Sequence, residues 1–313
     1  MSRRVLITGA SGFAGGHLAA ACAAAGEEVV ALSRSGAPPT DLLDPVATRG
    51  GVATAEPEVV YHLAALAHVG RSWSDPAATL AENQAMSLNL LEAVRTAAPR
   101  AVVVAVSSGE VYGRPEALPV GERALLRPQN PYAVSKAAGD LLAGFYGDAH
   151  GLHVVRPRPF NHAGPGQPPL YAVASFACQV AAGLEARENP IRLVTGNPDA
   201  RRDYTDVRDV VRAYRLLAEA GEPGVFNVCS GRSASARELV AALGRVAGAE
   251  IEHVVDPELA RAHEVTEIRG SAEKLRAATG WEPRIPLETT LADTIGWWRA
   301  EIRAGRGGDR VHE

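Results

Sequence analysis

Short apolar runs alternate with longer alanine-rich stretches through the first half of this 313-residue chain. The longer stretches, 75–97 and 131–149, have the length and composition of helices. The apolar runs have the length of buried strands and lie at 5–8, 29–32, 59–63, 102–107 and 153–156. Strands that alternate with helices predict an α/β fold, a doubly wound parallel sheet with helices on both faces.

Glycines mark the junction between the first predicted strand and the first predicted helix. Arg4–Thr8 leads directly into the turn, and the helical run 16–25 follows it. Glycines at such a junction allow a tight turn and close approach of a ligand, and the N-terminus of the helix attracts a pyrophosphate. The pattern therefore predicts a Rossmann-like dinucleotide site. Its turn contains Gly9, Ser11, Gly12, Phe13, Ala14 and Gly15.

The pattern becomes irregular after about residue 160, where glycine and proline concentrate at 164–169 and 196–198. A strand-like run, Val225–Val228, is expected to return to the main sheet. We therefore expect residues 1–160 to form a dinucleotide-binding domain with a returning segment near 200–230. Residues 161–313 are expected to form mainly a smaller, interleaved substrate-binding domain.

Tyr132 and Lys136 lie one turn apart at the start of the second long helix. Asn130 and Pro131 are typical of an N-cap and a first helical position, so the phenol and the ammonium share one face. Lys136 is one of only two lysines among 32 lysines and arginines, which indicates that this position requires an amine. An ammonium at about 4 Å contributes roughly 4 kcal/mol, enough to lower a phenol pKa by roughly 3 units. The pair is a candidate acid–base pair, although an exposed Tyr and Lys would satisfy this short motif equally well.

Together these motifs resemble the extended short-chain dehydrogenase/reductase family, the NAD-dependent epimerases and dehydratases, whose members act largely on nucleotide sugars. The resemblance extends from Val5 to about Leu287. Stretches 158–167 and 202–209 are similar to the branch of GDP-mannose 4,6-dehydratases and GDP-4-keto-6-deoxymannose reductases, and 270–287 is more similar to the reductases.

The resemblance implies a catalytic triad of Ser108, Tyr132 and Lys136. Ser108 would hydrogen-bond the substrate carbonyl or hydroxyl, and Tyr132 would exchange the proton. Lys136 would bind the nicotinamide ribose and lower the pKa of the tyrosine. The resemblance also implies a homodimer built through helices 75–97 and 131–149.

The resemblance also implies which residues bind the ligands. Asp41 and Leu42 would lie beside the adenine, and the small residues that follow the third strand would allow the cofactor to approach closely. Arginines suit phosphate oxygens, so the substrate diphosphate would be held partly by arginine. The residues after the third strand are Leu63, Ala64 and Ala65, and those for the diphosphate are Asn161, Arg202 and Arg261.

The end of the second strand indicates which dinucleotide is used. Ser33, Arg34 and Ser35 follow it, without an acidic side chain to accept the ribose 2′-hydroxyl. An arginine flanked by hydroxyls suits a 2′-phosphate. NADP(H) is therefore expected, with NAD(H) as the alternative.

Glu110 leaves the reaction open between reduction and dehydration. Dehydratases of the family use a glutamate two residues after the catalytic Ser or Thr, and Glu110 has that position as a catalytic and substrate-binding candidate. Gly109, however, replaces the acidic residue of the deoxythymidine-sugar dehydratases. Residues 36–40 are a brief connection, in place of the extended arginine- and serine-containing loop of the tetrameric GDP-mannose dehydratases. We expect a reductase that converts GDP-4-keto-6-deoxy-D-mannose to GDP-6-deoxy-D-mannose. A GDP-mannose 4,6-dehydratase or a nucleotide-sugar 4-epimerase is the alternative, and a non-catalytic dinucleotide sensor is a remote one.

Composition and charge indicate which partners, which location and which cysteine chemistry to expect. A formal net charge of -4 without a basic stripe argues against nucleic acid as a partner. No apolar run approaches the roughly 18 residues of a membrane span, and the N-terminus enters a strand directly, so a cytoplasmic protein without a signal peptide is expected. Cys22, Cys178 and Cys229 are isolated in apolar surroundings, which favours buried thiols over a metal or redox site.

Overall fold

The structure is a computed structural model, and it describes residues 2–34, 39–259 and 265–306. These residues fall into two compact units. The first unit takes its residues from Met1–Phe160, Val210–Val228 and Ser271–Trp281. The second takes them from Asn161–Asp209, Cys229–Gly270 and Glu282–Glu313. The segment 271–281 thus belongs to the first unit, an assignment that the sequence pattern did not indicate.

The first unit contains a six-stranded sheet and its helices. Its strands are β1 (Arg4–Thr8), β2 (Glu28–Leu32), β3 (Val59–His62), β4 (Val102–Ala105), β5 (His153–Pro159) and β9 (Gly224–Val228). Its helices are α1 (Phe13–Ala24), α2 (Pro45–Ala55), α3 (Val69–Ser74), α4 (Pro76–Ala97), α5 (Pro131–His150), most of α7 (Val207–Ala220) and α9 (Glu273–Thr279), with a 3-10 helix at Gly109–Tyr112.

All six strands are parallel, in the order β2-β1-β3-β4-β5-β9. The chain moves from β1 to β2 on one side and then crosses to β3 on the other side of β1. This reversal creates a switch point at the carboxyl ends of β1 and β3, where open α/β sheets bind their ligands. The predicted returning strand is present, since β9 pairs with β5 from Val155↔Gly224 to Pro159↔Val228.

The central strands β1 and β3 are buried on both faces, as the doubly wound α/β fold requires. Leu6, Val60 and Val103 point to one face and pack in a core with residues of α2, α4 and α5. Val5 and Ile7 alternate to the other face and are also fully buried. Continuous apolar strands are the result expected when helices cover a parallel sheet.

The second unit combines small sheets with three long helices. Its strands are β6 (Asn161–Ala163), β7 (Ile191–Thr195), β8 (Arg201–Asp206), β10 (Ser233–Ser235), β11 (Ile251–Val255) and β12 (Glu267–Ile268). Its helices are α6 (Ala172–Ala186), α8 (Ala236–Ala247) and α10 (Leu287–Arg303), with a 3-10 helix at Pro257–Leu259. β8 pairs with β6, β10 and β12, and β7 pairs with β11. The core of this unit, around the fully buried Trp298, joins α6, α8 and α10 to β7.

The predicted bounds of α4 and α5 agree with the structure to within one residue, while two strands end earlier than predicted. β3 ends at His62 and β4 at Ala105, before the predicted 63 and 107. At the end of β4 the chain leaves the ladder, although Ser107 N still donates to Pro157 O. Among the residues that the structure describes, no helix is both long and apolar enough to cross a membrane.

Candidate active site

The glycine turn packs the end of β1 closely against the end of β3. Gly9 has a φ of +74°, and a Cβ atom on it would lie 2.8 Å from Ala64 N. A Cβ atom on Gly15 would lie 2.0 Å from Gly9 O. Only glycine fits both positions, because a Cβ atom would overlap the backbone. Gly12 is the N-cap of α1 and has no side chain to bind the first N–H groups, so these groups suit a pyrophosphate.

A buried hydrogen-bonded chain fixes the strand ends beneath this turn. Thr8 Oγ1 lies 2.8 Å from His62 Nδ1 and accepts a hydrogen bond from Ala64 N at 3.3 Å. His62 Nε2 lies 3.1 Å from Ser87 Oγ on α4. Burial lowers the pKa of His62 to about 3, so the ring is neutral and structural. Leu63, Ala64 and Ala65 thus follow a strand end whose position is rigidly set.

The residues predicted to bind the adenine half follow β2. Arg34 is exposed in the turn after this strand, and Ser33 O accepts a hydrogen bond from Thr40 N. Leu42 is buried, and its carbonyl oxygen accepts from Asn89 Nδ2 at 2.8 Å. Asp41 is exposed and binds Leu43 N through its carboxylate. Residues 35–38 lie outside the described residues, so Arg34 is the last residue described before that gap.

Helix α5 carries Tyr132 and Lys136 next to the end of β4. Lys136 Nζ donates to Val106 O at 2.5 Å. Burial lowers the pKa of Lys136 to about 8, and the nearby carboxylate of Asp140 partly opposes this shift. At neutral pH the ammonium is therefore charged but poorly solvated, which strengthens its electrostatic effect on a neighbouring phenol.

Ser108 is buried and its hydroxyl is oriented by the 3-10 helix that follows β4. Ser108 is the N-cap of this helix, and its Oγ accepts a hydrogen bond from Glu110 N at 3.2 Å. Because the oxygen accepts from the backbone, the hydroxyl proton can be directed elsewhere as a donor. Glu110 is half-buried, and its Oε2 accepts from Asn130 Nδ2 at 3.3 Å. Glu110 thus contacts the start of α5, and its backbone N–H connects it to Ser108.

A buried ionic network behind Lys136 was not predicted from the sequence. Asp140, one turn after Lys136, contacts Arg158 at 2.5 Å, and both side chains are nearly inaccessible to solvent. Arg158 Nη1 also donates to Tyr112 Oη at 2.9 Å, and Tyr112 Oη in turn donates to Asn227 at 2.7 Å. The signal in the sequence was an acidic residue four positions after the lysine on a strongly apolar helix face. The network ties α5 to β5 and β9.

A small cavity adjoins this network. It has a volume of about 20 Å³ and is lined by His62, Ser107, Lys136 and Asp140 among others. A cavity of this size and polarity can hold about one water molecule. A water molecule in it would lie beside Lys136 and Asp140.

The predicted diphosphate residues belong to the second unit. Asn161 is half-buried at the start of β6 and pairs with Tyr204 of β8. Arg202 is half-buried on β8, and its Nη1 donates to Arg201 O at 2.9 Å and to Val265 O at 2.8 Å. Arg261 lies outside the described residues.

The acidic residues of the 202–209 stretch support backbone structure within the second unit. Asp203 is fully buried and accepts hydrogen bonds from the backbone N–H groups of Ser230, Gly231 and Gly270. Asp209 accepts from the N–H groups of residues 284 and 285. These carboxylates are therefore structural parts of the motif and not candidates for chemistry.

The three cysteines differ in burial. Cys22 and Cys229 are buried, whereas Cys178 is only half-buried. Burial raises the pKa of the Cys22 thiol to about 12, so it stays protonated and unreactive.

Comparison with known proteins places the chain in one family. The family model described as GDP-mannose 4,6 dehydratase matches residues 6–294. GDP-6-deoxy-D-mannose reductase from Pseudomonas aeruginosa is 40% identical over 309 residues, which cover 97% of this chain and 99% of that protein. UDP-glucose 4-epimerase from Mycolicibacterium smegmatis is 33% identical, covering 95% of this chain and 98% of that protein.

Solved structures agree with these matches. The structure of RMD from Pseudomonas aeruginosa complexed with NADPH has a TM-score of 0.88 at 38% identity and covers 96% of this chain and 100% of that chain. UDP-glucose 4-epimerase from Thermus thermophilus in complex with NAD has a TM-score of 0.83 at 32% identity, covering 95% and 99%. The glycine turn, with its backbone cradle free of Cβ atoms, fits the dinucleotide of such enzymes. The chain therefore belongs to the GDP-mannose 4,6-dehydratase family of the extended short-chain dehydrogenases/reductases.

Proposed function

We propose that this protein is an NADPH-dependent reductase of a GDP-linked 4-keto-6-deoxy sugar, which it converts to the 4-hydroxy sugar. The observation that carries the proposal is the 40% identity to a GDP-6-deoxy-D-mannose reductase along nearly the whole of both chains. The NADPH complex of the similar Pseudomonas structure supports NADP(H) as the cofactor, with NAD(H) as the alternative seen in the epimerase complex.

Ser108, Tyr132 and Lys136 have separate roles in the reaction. Bound NADPH supplies the hydride. The Ser108 hydroxyl, whose oxygen accepts from Glu110 N, donates a hydrogen bond to the keto oxygen and stabilises the charge that develops there. Tyr132 delivers the proton that completes the alcohol. Lys136 holds a positive charge at neutral pH, which lowers the cost of the phenolate that remains.

The surroundings of Gly109 support reduction over dehydration. A Cβ atom on Gly109 would lie 3.0 Å from the ring of Phe160, which is itself buried. The deoxythymidine-sugar dehydratases that the chain resembles have an acidic residue here, and that side chain would require Phe160 to move. The tight contact with Phe160 thus disfavours the second carboxyl of that reaction.

Glu110 is the observation that favours a dehydratase as the second candidate. Its carboxylate is held by Asn130 at 3.3 Å, as a base that removes a proton from carbon would need to be. In a reductase the same carboxylate would accept a hydrogen bond from a sugar hydroxyl.

We assign the GDP diphosphate to Asn161, Arg202 and Arg261, on the basis of the family pattern and the phosphate preference of arginine. Arg202 is half-buried, so its guanidinium is partly shielded from water and binds anions more strongly. Replacing Arg202 by Gln is expected to raise KM for the GDP-sugar at least about tenfold, as loss of a charged hydrogen bond does. The KM for NADPH should stay unchanged.

A homodimer through α4 and α5 is also part of the proposal. Leu141 and Phe145 of α5 are 62% and 56% exposed, and Leu88 of α4 and Val134 of α5 are exposed as well. Positions 134, 141 and 145 share one helix face, and such an apolar stripe is typical of an interface. Phe145→Glu should convert a dimer to a monomer in light scattering, whereas a wild-type monomer would contradict this assignment.

One assay separates the candidate reactions. The purified protein is supplied with GDP-4-keto-6-deoxymannose and NADPH, nicotinamide absorbance is followed, and the product sugar is identified. A parallel reaction with GDP-mannose and catalytic NADP⁺ tests dehydration. Net oxidation of NADPH, abolished in Tyr132→Phe with NADPH binding retained, supports the reductase. A 4-keto product without net cofactor consumption would assign the dehydratase instead.

A further inference from the structure

Asn130 joins Glu110 to the helix that carries Tyr132. Its Oδ1 accepts a hydrogen bond from Ala133 N at 2.7 Å and so caps α5. Its Nδ2 donates to Glu110 Oε2 at 3.3 Å. The two halves of one amide therefore have separate partners, the helix for the acceptor and the carboxylate for the donor.

The backbone brings these residues together. Arg127 N donates to Val111 O at 2.9 Å, which pairs the segment before α5 with the 3-10 helix. Gly113 allows this approach, because it has a φ of +58° and a Cβ atom on it would lie 1.8 Å from Arg127 O. Asn130 follows three residues later and faces Glu110. The contact is thus part of a packed loop and not a chance meeting of two exposed side chains.

The choice of asparagine has a chemical reason. Ser, Thr, Asp and Asn are all effective N-caps, so capping alone does not require an amide. An aspartate would place a second negative charge beside Glu110, and a serine or threonine has a shorter reach. Asparagine caps with its oxygen while its uncharged N–H₂ group donates to the carboxylate. The pairing of cap and donor in one residue therefore points to a role beyond helix stability.

We propose that Asn130 is a positioning residue for the reaction, which holds the Glu110 carboxylate in a fixed place relative to Tyr132. The inference rests on the proposed function, in which Glu110 accepts a hydrogen bond from a sugar hydroxyl next to the keto carbon. Asn130 also caps the helix whose second residue is Tyr132, so the sugar-binding carboxylate and the proton donor share one anchor. Ser108 is connected to the same anchor, because its Oγ accepts a hydrogen bond from Glu110 N.

A double-mutant cycle tests this role. Asn130→Asp keeps the cap but removes the donor, and the protein should melt within about 4 °C of wild type. The KM for NADPH should stay within about twofold, while kcat falls about 10- to 100-fold, the factor that corresponds to a hydrogen bond with a charged group. In a Glu110→Gln background the same change should cost less than about threefold, because the glutamine amide can donate to the new aspartate.

A matched control replaces the N-cap residue of another helix, α2. Asp44 caps α2 by accepting from Val46 N and Ala47 N, and Asp44→Asn should leave kcat unchanged. If Asn130→Asp retains full kcat, or loses the same factor with and without Glu110, Asn130 is only a helix cap and the inference is overturned.

A different result would show that the proposed function is wrong. Wild-type protein that does not oxidise NADPH with the keto sugar would refute the reductase assignment. The same four proteins would then be compared by urea unfolding. Non-additive shifts of the unfolding midpoint would support an interaction between Asn130 and Glu110. Additive shifts would show that the two residues do not interact, and would overturn the inference.

Discussion

The pKa of Lys136 is a measurable consequence of its burial. Burial lowers this pKa from 10.5 to about 8, and the difference corresponds to about 3 kcal/mol. At neutral pH the lysine is charged in both the folded and the unfolded protein. The folded protein therefore carries the whole desolvation cost, which makes the Lys136 ammonium destabilising at that pH.

The sign of the pH dependence follows from proton uptake. Between about pH 8 and 10.5 the folded protein releases the proton of Lys136 while the unfolded chain still holds it. The unfolded state then binds more protons, so the free energy of unfolding rises with pH, by at most about 1.4 kcal/mol per unit. The contribution of this residue to stability is thus lowest below pH 8 and recovers as pH rises.

Comparison with Lys136→Met isolates this effect. Other titrating groups are common to both proteins and cancel in the difference. Between about pH 7 and pH 10, wild type should gain roughly 2 to 3 kcal/mol relative to Lys136→Met in urea unfolding of the cofactor-free protein. Selective ¹³C labelling of the lysine ε-carbons gives a direct check, because the chain contains only Lys136 and Lys274. The variant assigns the two signals.

Two results would refute the reasoning. One is a Lys136 signal that titrates at the ordinary value of 10.5. The other is a pair of unfolding curves that depend on pH in parallel. Either result would mean that the ammonium is well solvated, and that its effect on the tyrosine is correspondingly weak.

The remaining predictions concern the turn, the buried network and the pocket wall. Gly15→Ala should abolish NADPH binding in a fluorescence titration, since its Cβ would lie 2.0 Å from a backbone oxygen; unchanged affinity would contradict the close-packed turn. Asp140→Asn should lower the free energy of unfolding by roughly 3 to 5 kcal/mol, because Arg158 is left buried without its counter-ion; the double replacement with Arg158→Met should recover part of that loss in urea unfolding. Gly109→Ala should lower the free energy of unfolding by roughly 1 to 3 kcal/mol by crowding the buried Phe160 ring, and a neutral result would show that the ring yields to a Cβ atom there.

Much of the first unit was predictable because its signals are local. The glycine turn, the Asn130–Pro131 helix start and the apolar strand runs depend on residues close in sequence. The structure confirms the parallel sheet and the returning strand at 224–228. It places segment 271–281 in the first unit, which no local pattern indicated.

The network around Asp140 shows why other parts could not be predicted. Its outermost members, Tyr112 and Asn227, are 115 positions apart in the chain, and in the sequence each member resembles an ordinary polar residue. Their burial and pairing arise only when α5, β5 and β9 pack together. Arg158 belonged to a stretch recognised by resemblance, yet its counter-ion was visible only in the structure.

The sequence by itself determined the class of fold, the dinucleotide turn and the candidate chemistry of Tyr132 and Lys136, because backbone freedom, helix caps and periodicity act over a few residues. Only the tertiary structure decided that Lys136 is poorly solvated, that Asn130 holds Glu110, and that Phe160 crowds the space beside Gly109. Solvation, reach and steric space depend on groups 20 or more positions apart in the chain, which come into contact only on folding.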